Sequence, residues 1–302
     1  MKEVVALFQP SGIIAALVTP FTSDQKLNES ATREMVNRLI TAGVAGLFCL
    51  GTNGEFFSMT TEEKVQLTKI VVEEVAGRIP VYAGSGGIAT HQVIELSKRL
   101  EQVGTTALSI ITPYFNQLSQ EELMEHYEVI ASSISLPILL YNIPARTNLN
   151  LAPESVARLS QVPNIVGIKD SSGSFEQMIR YRTLTAPNFP ILAGSDSLIL
   201  WNLMAGGNGA VAATANVVPK LVTSIYRHWL AGDFNQARDA QYSLQKLRVI
   251  NQKGSLPSVF KEALRIIGID AGVPRPPVRP VAEQVKQELQ AVLQQYREEG
   301  VL

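Results

Sequence analysis

One lysine stands at the end of an apolar run, where a charged side chain is unusual. The stretch NIVGIKDSSG, residues 164–173, places Lys169 after four residues that are apolar or glycine. Side chains alternate between the two faces of a strand, so we expect Lys169 to share a face with Gly167 and Ile165 while Asp170 points the other way. An amine in an apolar pocket loses the hydration of its charged form and becomes available as a nucleophile. We therefore favour a Schiff-base lysine over a structural lysine whose charge reaches solvent.

A tyrosine occupies a similar position in the apolar run before it. Tyr141 is the fourth residue of ILLYN, Ile138–Asn142. A phenol beside an imine can carry protons to and from carbon and oxygen. The alternative is an amphipathic core tyrosine whose hydroxyl reaches the wet rim. Position alone leaves both interpretations open.

The segment GTNGE, residues 51–55, follows another apolar run. A tight turn there would present backbone N–H groups and the Thr52 hydroxyl to a carboxylate, as anion-binding nests do. The alternative is a plain connecting turn that needs glycine for its backbone conformation.

These residues need a scaffold that brings strand ends together, and the chain has eight short apolar runs that alternate with helical segments. We predict strands at Gly12–Thr19, Gly46–Gly51, Val81–Gly84, Ala107–Thr112, Ile138–Asn142, Ile165–Lys169, Ile191–Gly194 and Ala210–Ala213. Near-continuous apolar strands are typical of a parallel sheet that is buried on both faces. The repeat predicts an α/β fold, a (β/α)₈ TIM barrel over residues 1–232, with its active site at the carboxyl ends of the strands. A doubly wound sheet is the alternative, but it would normally carry a Gly-rich phosphate loop after its first strand, where this chain has VTPF.

Further helices are predicted after the barrel, at Phe234–Val249, Pro257–Ile267 and Val281–Glu298. They would form a C-terminal helical extension, residues 233–302, packed on the barrel. Within the barrel, three helix starts have the spacing of a capping box, in which a hydroxyl and a later Glu or Gln satisfy each other's backbone donors. These pairs are Thr60 with Glu63, Ser119 with Glu122, and Ser174 with Gln177.

Composition excludes several classes of function. The 302 residues carry 26 basic and 27 acidic side chains without runs of one sign, so we expect no binding to nucleic acid or to an anionic membrane surface. No apolar run reaches the about 18 residues that a membrane span needs. The single Cys49 predicts a buried core thiol in a cytoplasmic protein. The three histidines share no ligand spacing, so we expect no metal and no other cofactor.

Four segments, GTNGE, YNIPART, GIKD and GGNGAVAATANV, resemble in order and spacing the dihydrodipicolinate synthase / N-acetylneuraminate lyase family. The resemblance extends from about residue 12 to the C-terminal helices. It implies a metal-free class I lyase or synthase that works through a pyruvate imine, usually as a homotetramer of two tight dimers. Its substrates would be a keto acid, pyruvate, and an aldehyde.

The resemblance also assigns roles by position. Lys169 matches the Schiff-base lysine and Tyr141 the proton-shuttling tyrosine, while Thr52 and Asn53 match the residues that hold the carboxylate of pyruvate. Gly194 and Val211 match positions that line the pyruvate pocket. The last match is Arg146, which corresponds to an arginine that orients the carboxylate of the second substrate in the lysine-pathway synthases.

One departure from the synthase pattern concerns the aromatic pair Tyr114–Phe115, which we place among the substrate-binding residues. In the synthases the second aromatic residue is usually a tyrosine. It crosses a dimer interface and completes a relay with the threonine and tyrosine that Thr52 and Tyr141 match here. Phe115 has no hydroxyl, although a shift of the backbone could bring the hydroxyl of Tyr114 inward.

Two other departures from the synthase pattern also favour an aldolase. Asn53 replaces a usual threonine, and Asp170 replaces a common glutamate, as in the 2-keto-3-deoxy-sugar-acid and 4-hydroxy-2-oxoglutarate aldolases. Arg146 instead resembles the synthases. The leading hypothesis is thus an aldolase that joins or splits pyruvate and an aldehyde, with a 2-keto-3-deoxy sugar acid or a 4-hydroxy-2-oxo acid as its substrate. The alternatives are a 4-hydroxy-tetrahydrodipicolinate synthase, a dehydratase that uses the same imine, and a non-catalytic carboxylate-binding barrel.

Overall fold

Eight parallel strands close into a barrel in the computed structural model, which describes residues 8–302. The strands are β1 Gly12–Ala16, β2 Gly46–Cys49, β3 Val81–Gly84, β4 Ala107–Ile111, β5 Ile138–Asn142, β6 Ile165–Asp170, β7 Ile191–Ala193 and β8 Gly209–Ala212. Each strand pairs in parallel with the next, and β8 pairs with β1. The predicted (β/α)₈ barrel is therefore confirmed. Most strands end a residue or more before the predicted bound, because the polar residues at the rim leave the sheet to form loops.

Thirteen helices surround or extend this barrel within the described range. They are α1 Glu29–Thr41, α2 Thr61–Val75, α3 Thr90–Gln102, α4 Gln120–Ser133, α5 Pro144–Thr147, α6 Pro153–Leu159, α7 Phe175–Leu184, α8 Ile199–Met204, α9 Pro219–Leu230, α10 Phe234–Ser243, α11 Gln245–Asn251, α12 Ser258–Ile266 and α13 Glu283–Glu298. None of these helices is both long and apolar enough to cross a membrane. The division of the chain into a barrel, residues 1–232, and a C-terminal helical extension, residues 233–302, stays a prediction.

One predicted C-terminal helix is two helices, which corrects the span Phe234–Val249. The helix is interrupted at the buried Leu244, where α10 ends and α11 begins. The two helices have different neighbours: α10 packs along α9, while α11 contacts α13 and the turn at Asp196–Leu198. Arg248 and Asn251 of α11 line a cavity at the carboxyl ends of the strands.

Two of the three predicted capping boxes are complete, those of Thr60 with Glu63 and of Ser119 with Glu122. The third is only half formed. The hydroxyl of Ser174 accepts from the backbone N–H of Gln177 at 3.1 Å, but Gln177 does not reach back. Its amide instead donates to Tyr181 Oη at 2.7 Å and to Asp170 Oδ1 at 3.2 Å, because a buried carboxylate attracts the donor more strongly than an exposed helix end.

The barrel has one apolar core inside the sheet and another between the sheet and the helices. Tyr141 and Leu139 belong to the inner core, as alternation along β5 requires. Ile165 belongs to the outer core, so the prediction that it shares a face with Lys169 is wrong. The cause is an irregularity in register, because Ile138 pairs with Ile165 whereas Leu139 pairs with Gly167.

Cys49 lies in the outer core, and the predicted buried thiol is confirmed. Its sulfur lies 3.7 Å from the hydroxyl of Thr68 and 3.5 Å from the carbonyl oxygen of Tyr82. Burial raises the pKa of the Cys49 thiol to about 12, so the thiolate that a nucleophile needs is not formed near neutral pH.

Candidate active site

Lys169 and Tyr141 are paired residues on neighbouring strands, at the carboxyl ends of β6 and β5. Lys169 Nζ lies 3.8 Å from the centroid of the Tyr141 ring and 4.8 Å from that of Phe48. The Phe48 and Tyr141 rings meet edge to face, with centroids 6.2 Å apart. Each of the two paired side chains is only 4% exposed. Aromatic faces thus enclose the amine, as a nucleophilic lysine requires.

No carboxylate of residues 8–302 forms an ion pair with Lys169. Of the two carboxylates at other strand ends, Glu55 pairs with Lys261 at 2.7 Å. The other, Asp196, accepts backbone N–H groups, including that of Thr214 at 2.8 Å. A structural lysine that is only 4% exposed would need such a partner, and its absence in the described chain favours the Schiff-base interpretation.

Asp170 lies on the opposite side of β6, as predicted. It accepts from Asn142 Nδ2 at 2.8 Å and from Ser172 Oγ at 2.6 Å. Burial raises the pKa of the Asp170 carboxyl, and hydrogen bonds from Ser172, Asn142 and Gln177 oppose that rise. Asn142 also accepts the backbone N–H of Leu151 at 3.0 Å, so this network ties the end of β6 to β5 and to the loop behind it.

Thr52 and Asn53 lie in a single 3₁₀ turn, Thr52–Gly54, immediately after β2. Thr52 Oγ1 lies 3.2 Å from Tyr141 Oη, which places the turn directly beside the phenol. The side-chain oxygen of Asn53 is buried and has no hydrogen-bond partner in the described chain. Because unpaired buried polar groups are rare, this oxygen is available to accept a hydrogen bond from a donor group of a ligand.

A cavity of about 170 Å³ opens at this point. Six of the predicted site residues line it together: Thr52, Asn53, Tyr141, Lys169, Gly194 and Val211. A methyl group on Gly194 would lie 2.0 Å from Ser171 Oγ and 2.9 Å from the backbone oxygen of Asp170. The close approach of β7 to the end of β6 therefore requires glycine at that position.

The other three predicted residues lie elsewhere. Arg146 and Tyr114 line an outer cavity of about 790 Å³, which shares Thr52 and Leu256 with the inner one. Phe115 lines neither cavity: it is 95% exposed, with a left-handed φ of 82°. Within one chain, Phe115 therefore lies outside the inner cavity, and its role as a substrate-binding residue stays a prediction.

Five polar residues of the inner cavity are not among the predicted site residues: Ser171, Ser195, Asp196, Arg248 and Asn251. Ser171 and Ser195 follow β6 and β7 within two residues, so inspection of each strand end could have found them. Arg248 and Asn251 lie on α11, and nothing in the local sequence places that helix over the barrel. Arg248 is half-buried and donates to Ser197 Oγ at 3.3 Å.

Comparison with known proteins shows that the chain is similar to the members of one family. The model of the Dihydrodipicolinate synthetase family matches residues 9–296. The chain is 40% identical over 288 residues to the 4-hydroxy-tetrahydrodipicolinate synthase of Methanopyrus kandleri, covering 95% of this chain and 96% of that protein. It is 37% identical over 283 residues to the synthase of the same name from Methanothrix thermoacetophila, covering 93% and 95%.

Solved structures show the same similarity. A dihydrodipicolinate synthase from Bacillus anthracis superposes with a TM-score of 0.92 at 34% identity, covering 95% of this chain and 99% of that chain. YagE, a prophage protein of the dihydrodipicolinic acid synthase family from E. coli K12 in complex with pyruvate, superposes with a TM-score of 0.91 at 34% identity, covering 95% and 98%. The similarity thus includes the C-terminal helices as well as the barrel.

Proposed function

Because the chain belongs to the dihydrodipicolinate synthetase family, we propose that it is a 4-hydroxy-tetrahydrodipicolinate synthase, which condenses pyruvate with aspartate semialdehyde. As a member of this family, the chain is an enzyme, a lyase of the class I aldolase type. The observation that carries the proposal is the enclosed amine of Lys169 beside the paired hydroxyls of Tyr141 and Thr52. The sugar-acid aldolase favoured from the sequence remains unconfirmed, and the names of the similar proteins support the synthase better.

The first step of the proposed reaction joins pyruvate to Lys169. The neutral amine attacks the C2 ketone, and the resulting carbinolamine loses water to form an iminium. Tyr141 gives a proton to the departing hydroxyl and is restored through its contact with Thr52 at 3.2 Å. The pyruvate carboxylate binds the turn that carries Thr52 and Asn53, where backbone N–H groups and the Thr52 hydroxyl can donate to it.

The second step forms the carbon–carbon bond. C3 gives a proton to the water released in the first step, which converts the iminium into an enamine, and C3 of the enamine then attacks the aldehyde carbon. The aldehyde oxygen takes a proton from Tyr141 and becomes a hydroxyl. The amino group of the former aldehyde then attacks C2, the bond from C2 to Lys169 Nζ breaks, and the cyclic product leaves with the enzyme amine free again.

The arginines near the site suit a second substrate that carries a carboxylate. Arg248 lines the inner cavity, and Arg146 lines the outer one. A guanidinium binds a carboxylate through two parallel hydrogen bonds, which fixes orientation as well as charge. We assign Arg248 the nearer contact, since it shares a cavity with Lys169, and Arg146 a contact at the entrance.

Aldol cleavage of a 2-keto-3-deoxy acid is the second candidate, and Phe115 is the observation that favours it. Cleavage needs the imine and a base for the C4 hydroxyl, which Tyr141 supplies. A relay of three hydroxyls would need a third group beside Thr52 and Tyr141, and Phe115 has no hydroxyl to offer. This candidate shares the imine with the synthase and differs only in the partner carbonyl.

The test compares the two reactions directly after showing the imine. Borohydride with pyruvate should add a pyruvyl mass to Lys169, located by peptide mass spectrometry. Condensation with aspartate semialdehyde is then measured beside pyruvate release from a panel of 2-keto-3-deoxy acids. A clear preference for cleavage would replace the synthase with the aldolase, and a failure to trap any adduct would leave a carboxylate-binding barrel.

We also propose that the enzyme is a homo-oligomer, a tetramer by resemblance. Phe115 is 95% exposed and Phe57 is 49% exposed, and exposed aromatic rings of this kind are enriched at interfaces. Sedimentation equilibrium measures the assembly. A single species with the mass of one chain at micromolar concentration would contradict the proposal.

A further inference from the structure

Glu55 and Lys261 form an ion pair in the interior, away from the reacting groups. Glu55 is 0% exposed and Lys261 is 1% exposed, and Oε1 lies 2.7 Å from Nζ. The other carboxylate oxygen accepts the backbone N–H of Arg275 at 2.8 Å. Lys261 Nζ also donates to the carbonyl oxygen of Val273 at 3.2 Å. Both charges are therefore fixed by directional contacts and not only by their mutual attraction.

Stability alone does not explain such a pair. Removing two charges from water carries a penalty that their attraction often fails to exceed, and apolar residues of similar volume can replace a buried pair at no loss. Burial lowers the pKa of Lys261 to about 8, because desolvation outweighs the attraction of Glu55, and Arg275 adds to the lowering. What an ion pair provides beyond apolar packing is a defined geometry.

Glu55 ends the turn that carries the carboxylate-binding residues. It adopts the left-handed conformation, with φ 55° and ψ 33°, which a residue with a side chain rarely adopts. Its backbone N–H donates to the carbonyl oxygen of Thr52 at 3.3 Å. On the other side of the turn, the hydroxyl of Thr19 donates to the carbonyl oxygen of Gly54 at 2.6 Å. A conformation of this kind persists only where its surroundings hold it, and here the buried carboxylate is the anchor.

Lys261 belongs to the segment that closes the cavity from the other side. It lies on α12, and its neighbour Phe260 lines the cavity together with Leu256. The Phe21 ring packs between the two cations, with its centroid 4.2 Å from Lys261 Nζ and 4.2 Å from the Arg275 guanidinium. The ion pair thus joins the turn after β2 to the C-terminal helix that forms the opposite wall.

We propose that the Glu55–Lys261 pair is a positioning device that fixes the Thr52–Asn53 turn relative to α12 and thereby sets the affinity for the carboxylate of the keto acid. The inference rests on the proposed function, since it concerns the site where pyruvate forms its imine. Neither residue lines the cavity, so both act through the turn. A displacement of about 1 Å in a positioning group can cost about 100-fold.

The test uses the full chain and three variants: Glu55→Met, Lys261→Met and the double variant. Two measurements are made on each, the melting temperature and the pyruvate concentration that gives half-maximal borohydride trapping of Lys169. We expect that concentration to rise roughly 10–100-fold in all three variants. The melting temperature should fall in the single variants, which leave an unpaired buried charge, and should recover in the double variant.

Glu63→Gln is the matched control. Glu63 pairs with the Arg275 side chain at the surface-facing end of the same network, so its loss leaves the Glu55–Lys261 pair in place. Trapping by this variant should stay within about twofold of the unmodified protein, because the partly buried Glu63–Arg275 pair does not contact the cavity or the Thr52–Asn53 turn.

The decisive comparison is between stability and affinity in the double variant. A recovered melting temperature with pyruvate affinity still reduced supports the positioning role. If affinity recovers together with stability, or never changes, the pair is only structural and the inference is wrong. If the unmodified protein traps no pyruvate at all, the proposed function is wrong, and this inference, which depends on it, is wrong as well.

Discussion

Thr52 Oγ1 and Tyr141 Oη lie 3.2 Å apart, although Thr52 follows β2 and Tyr141 lies in β5, two strands that are not neighbours in the barrel. Only the closure of the sheet brings the turn after β2 across to the end of β5. The phenol therefore has a hydroxyl neighbour on one side and Lys169 against its ring on the other. A proton that leaves Tyr141 has a defined path to Thr52, and the predictions below follow from that arrangement.

Tyr141→Phe should lower kcat roughly 10²–10⁴-fold, the range for a positioned acid–base group. Imine formation should slow but remain trappable, because Lys169 keeps its place. Tyr127→Phe is the matched control, since that hydroxyl donates to the carbonyl oxygen of Ile110 far from the cavity. Steady-state kinetics and trapping are measured on both. An unchanged kcat for Tyr141→Phe would make the tyrosine a packing residue.

Lys169→Ala should abolish turnover and borohydride trapping, because it removes the only proposed nucleophile. The fold should survive, since the side chain lines a cavity and its loss leaves no charge unpaired. Lys253→Ala serves as the control, because Lys253 lines the outer cavity and should still allow full trapping. Circular dichroism and thermal melting accompany the assay. Unfolding together with loss of activity would indicate a structural lysine.

Arg248→Ala should raise KM for aspartate semialdehyde by roughly 10–100-fold, the loss expected when a hydrogen bond to a charged group is removed. Half-maximal trapping by pyruvate should not change, because the imine forms without the second substrate. Arg146→Ala should have a smaller effect from its exposed position in the outer cavity. If the larger effect belongs to Arg146, the order assigned to the two arginines must be reversed.

His126 should make the protein less stable as the pH falls from about 6.5 to about 4. The ring is 6% exposed, its Nδ1 lies 2.9 Å from Thr90 Oγ1, and burial lowers its pKa to about 4. The unfolded chain then binds more protons in this interval, so the free energy of unfolding decreases with falling pH, by about 3 kcal/mol at most. Asp170 acts in the opposite direction, because its pKa is raised.

The measurement for this prediction is urea unfolding at pH 7, 5.5 and 4.5, at one protein concentration. In His126→Gln the decrease over that interval should be smaller. Equal slopes for the two proteins would show that His126 does not titrate in this range or that its protonation is accommodated in the folded state.

Local sequence was sufficient for features that depend on neighbours along the chain. The apolar runs located all eight strands, and the alternation from Gly167 to Lys169 oriented the lysine correctly. Features that depend on segments far apart in the chain could not be predicted from the local sequence. Arg248 reaches the cavity through the packing of α11 against α13 and the turn at Asp196–Leu198, and Glu55 acquires its partner from Lys261, which is 206 positions later in the chain. Gln177 left its predicted capping position for a buried network that brings several loops together.

Phe115→Tyr separates the two candidate reactions. In the family pattern, a tyrosine at this position crosses to a neighbouring subunit and completes a relay with the residues that Thr52 and Tyr141 match. Phe115 is 95% exposed and held at a φ of 82°, and it has no hydroxyl. The substitution should raise kcat/KM for condensation with aspartate semialdehyde by about tenfold or more, since it restores a proton carrier. Aldol cleavage should change little, because Tyr141 serves it alone.

Both reactions are measured for both proteins, with Phe57→Tyr as a control for adding a hydroxyl to another exposed phenylalanine. A rise in condensation only with Phe115→Tyr would show that the missing hydroxyl limits the proposed synthase. If the unmodified protein condenses aspartate semialdehyde as fast as Phe115→Tyr does, Thr52 and Tyr141 move the proton without a third hydroxyl. If it instead cleaves a keto acid far faster than it condenses the aldehyde, Phe115 marks an aldolase, and the synthase proposal is wrong.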